Sequence, residues 1–255
     1  MSEDLVIFAP GSMSELLPRL IEAYVPLDTL KTQFVFGPSG SLRAKIEKGN
    51  TAHLFLSACD SHTKALFADK HLVDHAIFGE NRMVLLHQRT LDVTQSTALE
   101  FLANQKLTLG ASTTGLDPQD DYAFQVLRKI SHASNMPLES LERRTRVITG
   151  GRENPNAPVG RNQYGWIMET QHLDLLLTLH TNACQAVSDN QQITFCELPE
   201  ELQVICSFGI GLTSNPHPDS SPLYTWLQSM NAHQILIDAG FSVPIARLDE
   251  SPQGQ

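Results

Sequence analysis

Apolar runs alternate with helix-period stretches through the first half of the chain. Leu5-Val6-Ile7-Phe8-Ala9, the run ending in Phe34-Val35-Phe36, and Ala52-His53-Leu54-Phe55-Leu56-Ser57 predict strands at about residues 4–9, 32–36 and 52–57. Leu16, Leu17, Leu20, Ile21 and Tyr24 recur at i, i+3/i+4 spacing, which predicts a helix over about 13–24; a second is expected over about 40–48. This alternation predicts a mostly parallel sheet covered by helices. Asn81-Arg82-Met83-Val84-Leu85-Leu86 reads as a long strand crossing into a second lobe. That lobe would hold Leu107–Ala111, a helix over about 121–132, a strand at Arg146-Val147-Ile148, and Leu173–Leu179. Gly150–Gly160 reads as a long loop, either a lid or contact or a solvated insertion. The chain would return to the first lobe at Leu202–Thr213 and close with amphipathic helices around Leu223–Leu227 and Gln234–Ile237. The expected division is 1–84 plus 203–255 for one lobe and 85–202 for the other.

Two of the strand-to-helix turns carry a serine: Pro10-Gly11-Ser12 before Met13, and Gly37-Pro38-Ser39-Gly40 before Ser41-Leu42. A helix start presents unpaired N–H groups and a partial positive charge, which suits an anion. Two such starts, each with a hydroxyl, could grip one small oxyanion without lysine or arginine. A serine there also serves as a plain helix cap, and the two roles are compatible.

Composition narrows the choice of partner. At 255 residues the chain fits one large α/β domain or two lobes, and its net charge of −10 lacks the basic footprint of a nucleic-acid binder. A bound anion must therefore be held by local dipoles against the overall field. No stretch of about 18 apolar residues suggests a membrane span, and Met1-Ser2-Glu3-Asp4 has no signal-peptide character. Cys59, Cys184, Cys196 and Cys206 lack CxxC spacing and read as buried free thiols, with a Cys196–Cys206 bridge as the alternative.

In order and spacing, several segments match one family. Phe8-Ala9-Pro10-Gly11-Ser12, Gly37-Pro38-Ser39-Gly40 with Ile46-Glu47-Lys48-Gly49, and Leu54-Phe55-Leu56-Ser57-Ala58 are joined by Asn81-Arg82-Met83-Val84-Leu85, Asp117-Pro118 with Tyr122-Ala123, and Gln234-Ile235-Leu236 with Ala239-Gly240-Phe241. Together they resemble the molybdate-binding, ModA-like substrate-binding proteins of bacterial ABC transporters. The resemblance implies the two-lobe type II periplasmic-binding-protein fold, with a mostly parallel sheet flanked by helices in each lobe and a ligand cleft between lobes. It implies capture of a small oxyanion, molybdate or tungstate first, by hinge closure, with an ABC permease as partner. It implies no catalysis, no cofactor and no metal site of the protein's own, a monomer, and a periplasmic location if a leader has been removed and a cytoplasmic one otherwise.

The resemblance also assigns the ligand-binding roles. Ser12 and Ser39 inherit the hydroxyl contacts, with Gly11, Gly40 and Ser57 beside them in the first lobe. The second-lobe candidates are Gln119, Asp120, Arg161 and Leu179. Here the chain departs from the family: Gln119-Asp120-Asp121 replaces a small turn, and Leu179 stands where a tyrosine hydroxyl is common. Carboxylates suit a helix start but would repel a dianion they faced. Arg161 or Asn162 falls near a helix start that supplies a backbone amide in the family, and Arg161 offers a fork for a carboxylate or phosphate. The rewritten half-site leaves an alternative: a cytoplasmic sensor or accessory protein binding another anion or metabolite on the same fold.

Other constellations carry less. Gly37-Pro38-Ser39-Gly40 lacks both G-x-G-x-x-G and a following Lys-Ser/Thr, which argues against nucleotide binding. His71 and His75 lie four apart, a metal-binding spacing on a helix, but read as packed or solvated histidines. Cys59-Asp60 with His62 has no orienting third residue for nucleophilic catalysis.

Overall fold

A computed structural model describes residues 4–24, 30–112, 121–149 and 157–243. The chain forms two compact units, Met1–Glu80 with Ser207–Gln255, and Asn81–Cys206. It changes unit at 80/81 and 206/207, where the sequence suggested 84/85 and 202/203. Both exchange points fall inside strands.

In the first unit, β1 (Leu5–Pro10), α1 (Leu16–Tyr24), β2 (Thr32–Gly37), α2 (Ser39–Glu47), β3 (Leu54–Ser57) and α3 (Asp60–Ala68) alternate as expected. β4 (Leu72–Gln88) then leads into the second unit. There follow α4 (Ala98–Ala103), β5 (Leu109–Ser112), α5 (Tyr122–Ser134), α6 (Leu138–Arg144), β6 (Thr145–Thr149), α7 (Gln163–Thr170), β7 (Leu175–Leu179), α8 (His180–Asp189) and β8 (Ile193–Glu197). β9 (Ile205–Thr213) returns the chain to the first unit, which closes with α9 (Ser220–Trp226) and α10 (Met230–Asp238).

β1 runs parallel to both β2 and β3, and β3 pairs antiparallel with β9. Phe8, Leu42, Ile46, Phe55, Leu66 and Leu72 form a core cluster beside this sheet. α3 packs so closely on β9 that a Cβ at Gly209 would overlap the Thr63 side chain. In the second unit β5 is parallel to β6 and β7, while β4 pairs antiparallel with β7 and β8. Val84, Leu86, Ile148, Ile167, Leu176 and Ala183 fill the core under α7 and α8. No helix among the described residues is long and apolar enough to cross a membrane.

Two local expectations change. The first helix begins at Leu16, and Gly11–Met13 forms a separate 3-10 turn. Pro18 explains the delay: it has no N–H to give to Ser14, so it is accommodated only in a first turn. His71 and His75 are not on a helix; His75 lies in β4, its ring 4.6 Å from that of Phe67. All four cysteines are free thiols, so the Cys196–Cys206 bridge is not formed; Cys206 is buried as expected, whereas Cys59, Cys184 and Cys196 are partly exposed. Most of the Gly150–Gly160 segment lies outside the described residues.

Candidate functional site

The site in the first unit is built where strands end. Pro10 and Gly37 are register partners at the ends of β1 and β2. Ser12 and Ser39, each two residues further on, therefore leave neighbouring parallel strands at one edge of the sheet. Only Ser39 stands at an α-helix start; Ser12 is exposed within the 3-10 turn, where Gly11 O accepts from Ser14 N–H at 3.1 Å. The expectation of two helix tips thus reduces to one helix tip and one tight turn.

At α2, Pro38 fixes an extended entry and its carbonyl accepts the first intrahelical bond, from Leu42 N–H at 3.0 Å. The N–H groups of Ser39, Gly40 and Ser41 precede that bond and remain to be satisfied from outside the helix. Ser39 is not the cap residue but the first helical residue, and it is only 7% exposed. Its Oγ accepts from Ala58 N–H at 3.0 Å, tying α2 to the end of β3. With one lone pair so occupied, the hydroxyl proton is left to be donated, the polarity an anion requires.

Gly40 and Ser57 play quieter parts. A Cβ at Gly40 would sit 3.5 Å from His62 Cε1, in ordinary contact, so an imidazole lies beside this helix start. Ser57 is fully buried; its hydroxyl donates to Cys59 O at 2.6 Å and accepts from Cys59 N–H at 3.2 Å. Its hydrogen bonds therefore close its own turn and start α3, with Cys59 at the N-cap position. Gly11 is exposed, and a Cβ there would meet nothing within 4 Å.

The second-unit candidates fare differently. Gln119 and Asp120 lie outside the described residues. Asp121 caps α5, its carboxylate accepting from Ala123 N–H at 3.0 Å and Phe124 N–H at 3.4 Å. Arg161 does offer a fork, but to the protein itself: Nε lies 3.1 Å from both Asp189 carboxylate oxygens and Nη2 2.9 Å from Glu169 Oε2. Hydrogen bonds to Glu169 and then Asp189 raise its pKa above the ordinary arginine value. With those edges taken by carboxylates, it serves as an internal tie between α7 and α8 rather than a spare cation. Asn162 caps α7, accepting from Tyr164 N–H at 2.9 Å and Gly165 N–H at 3.1 Å. Leu179 is the N-cap residue of α8 and makes no side-chain cap bond.

Sequence reasoning missed a polar cluster at the start of α8. Asn81, Thr178, Thr181 and Asn182 are all buried. Asn81 Nδ2 donates to Thr181 Oγ1 at 2.9 Å, and Asn182 Nδ2 donates to Thr178 Oγ1 at 3.2 Å. Ser112, at the end of β5, adds its hydroxyl to Thr178 Oγ1 at 3.0 Å. The available signal was Thr178 itself, a polar residue inside the run Leu175-Leu176-Leu177-Thr178-Leu179, where a buried strand is otherwise wholly apolar. Beside the same helix, Arg82 Nε and Nη2 reach the Glu197 carboxylate at 2.7 and 2.8 Å, a forked pair.

Two α/β units exchanging the chain through two strands, with parallel strands feeding helix starts, define the type II periplasmic-binding-protein fold, and the solved structures of that fold match across the chain. The periplasmic molybdate-binding protein of Azotobacter vinelandii superposes with a TM-score of 0.73 at 16% identity, covering 94% of this chain and 100% of that one. A substrate-binding domain of a molybdenum ABC transporter from Clostridium difficile gives 0.67 at 19%, covering 94% and 99%. At these identities the likeness is one of fold. The model of the bacterial extracellular solute-binding protein family matches residues 5–242, and the chain belongs to that family. It is also 28% identical over 203 residues to the uncharacterized protein PM1146 of Pasteurella multocida, covering 79% of this chain and 84% of that protein.

Proposed function

We propose that this solute-binding protein captures a small oxyanion, with molybdate or tungstate first among ligands, and delivers it to an ABC permease from a periplasmic location. The observation that carries the reading is the α2 turn: a buried Ser39 hydroxyl whose acceptor side is occupied by Ala58 N–H, next to three amides that precede the first helical bond. Neutral donors aimed at an anion avoid the desolvation cost of a buried lysine or arginine and suit an ion carrying no proton of its own. The molybdenum-transporter and molybdate-binding structural neighbours support this class of ligand. Ser12, on the adjacent turn, supplies the second hydroxyl.

Titration calorimetry with molybdate, tungstate, sulfate and phosphate tests the proposal. The wild type is expected to bind at least one of them, and Ser12→Ala with Ser39→Ala to lose most of that affinity, each substitution leaving an anion oxygen short of a donor. Equal binding by the double variant would reject this site, and silence of the wild type across the panel would reject the oxyanion.

A further inference from the structure

A cavity of about 570 Å³ lies in the second unit, at the opposite end of β7 from the α8 start. Asp174 leads into β7 and Gln88 ends β4. Glu169 is in the last turn of α7, and His172 follows that helix. Asn190 is the C-cap residue of α8, with Gln192 just beyond it. Every lining residue belongs to Asn81–Cys206, so the cavity is formed within one compact unit.

Its polar wall presents acceptors. Gln88 Nε2 donates to Leu173 O at 2.8 Å, and Asn190 Nδ2 donates to Gly165 O at 3.3 Å. A carbonyl can only accept, so each amide turns its NH2 side to the protein and keeps its oxygen on the other. Gln88 Oε1 has no hydrogen bond among the described residues, and Asn190 Oδ1 accepts only from Gln192 N–H, at 2.9 Å. Asp174 Oδ2 takes both Thr108 N–H at 2.7 Å and Thr108 Oγ1 at 2.8 Å, which leaves Oδ1 without a hydrogen bond among the described residues. Glu169 gives Oε2 to Arg161 Nη2 at 2.9 Å and likewise keeps Oε1. No lysine or arginine lines the cavity. The C-terminal ends of α7 and α8 add their partial negative charge.

Unsatisfied carboxylate and amide oxygens beside two helix C-terminal ends select a cation rich in N–H donors. The volume is many times that of a bare metal ion and falls in the range of small-molecule sites, so the guest is organic. We infer that this cavity binds the primary ammonium group of an aliphatic amine, with the Asp174 carboxylate as its main partner and Glu169, Gln88 and Asn190 as further acceptors. This goes beyond the oxyanion reading and shares no residue with the Ser39 turn. A free diamine and a lysine side chain of a docked protein present the same ammonium chemistry.

Calorimetry on the full chain with putrescine and with Nα-acetyl-lysine methylamide tests the inference, with butane-1,4-diol as the uncharged control. At least one amine is expected to bind, and the diol is not. Tighter binding of putrescine assigns the site to a free amine, and tighter binding of the lysine derivative to a protein lysine; both support an ammonium site. Asp174→Asn keeps an acceptor for Thr108 and removes the charge, and it should weaken the bound amine by about tenfold or more; Glu169→Gln should cost about threefold. Affinity should also fall as salt is raised. In the wild type, saturating amine should shift the backbone 15N–1H resonances of His172, Asp174 and Asn190, a readout that does not depend on any variant folding. Binding by neither amine, equal binding of the diol, or unmoved resonances at these three residues while an amine binds overturns the inference. Undiminished binding by Asp174→Asn, shown to be folded by circular dichroism, overturns it too. All of these results leave the oxyanion reading standing.

Discussion

Ser39 Oγ accepts a hydrogen bond from the backbone N–H of Ala58 at 3.0 Å. The bond joins the start of α2 to the end of β3 and decides which way the serine proton can point. A buried hydroxyl that must give its proton elsewhere differs from an ordinary helix cap, which spends its oxygen on its own helix. Ser39→Ala should therefore do two separable things. It should destabilise the fold by about 1–3 kcal/mol, because Ala58 N–H loses its acceptor, and it should weaken oxyanion binding. Urea unfolding without ligand reads the first effect, and calorimetry the second.

Arg161 gives the opposite expectation. Its guanidinium is spent on Asp189 and Glu169, so Arg161→Met should leave oxyanion affinity unchanged while slightly lowering stability. Arg161 and Glu169 are solvent-exposed, so the stability loss should shrink further as salt is raised. A marked loss of binding in this variant would return Arg161 to the ligand site.

Asp121 holds the start of α5 through two backbone N–H groups. Asp121→Ala should cost about 1–2 kcal/mol, within the range for loss of a helix cap. Thermal unfolding of the variant checks it, and Asp121→Asn should recover much of the loss, since asparagine caps nearly as well.

His87 makes the second unit sensitive to acid. Burial, the leading cause, lowers its pKa below the ordinary 6.5; the hydrogen bond to Gln88 O opposes it in part, and the Arg89 charge (lowering) and the Asp92 charge (raising) follow with smaller effects. The folded protein therefore keeps this imidazole neutral at a pH where the unfolded chain takes up a proton. Its stability contribution is complete above about pH 6.5 and is lost as pH falls below that value towards the depressed folded pKa. Urea midpoints measured from pH 7.5 down to 5.5 should fall, and His87→Gln should flatten that fall.

Cys196 should be slow to alkylate. Burial first, and the Glu197 carboxylate second, push its thiol up to about 11 from 9.0. At pH 7.5 the thiolate fraction is then about a hundredfold below that of an unperturbed thiol, so iodoacetamide labelling in the native protein should be slower by about that factor. Mass spectrometry of the labelled peptides resolves Cys196 from the other three cysteines.

The strand–helix alternation of the first unit was legible because β1, β2, β3, α2 and α3 pair with or pack on one another within a short stretch of chain. The stripe Leu16, Leu17, Leu20, Ile21 and the apolar run at Leu54–Ser57 needed nothing else. The helix start at Ser39 could likewise be read from Gly37-Pro38-Ser39-Gly40. Ser12 misled because the pattern shows where apolar faces lie, whereas the proline at position 18 decides where the helical hydrogen bonds can begin. Arg161 looked available since its carboxylate partners, Glu169 and Asp189, sit eight and 28 residues away on two different helices. Thr181 was passed over because its meaning depends on Asn81, a hundred residues earlier.

The amino-acid order alone settled the alternating α/β architecture, because periodicity and turn chemistry act over a few residues. Tertiary structure alone decided which polar groups remain free to give a hydrogen bond. That depends on partners brought together from distant positions, as Ala58 meets Ser39, Asn81 meets Thr181, and Asp189 meets Arg161.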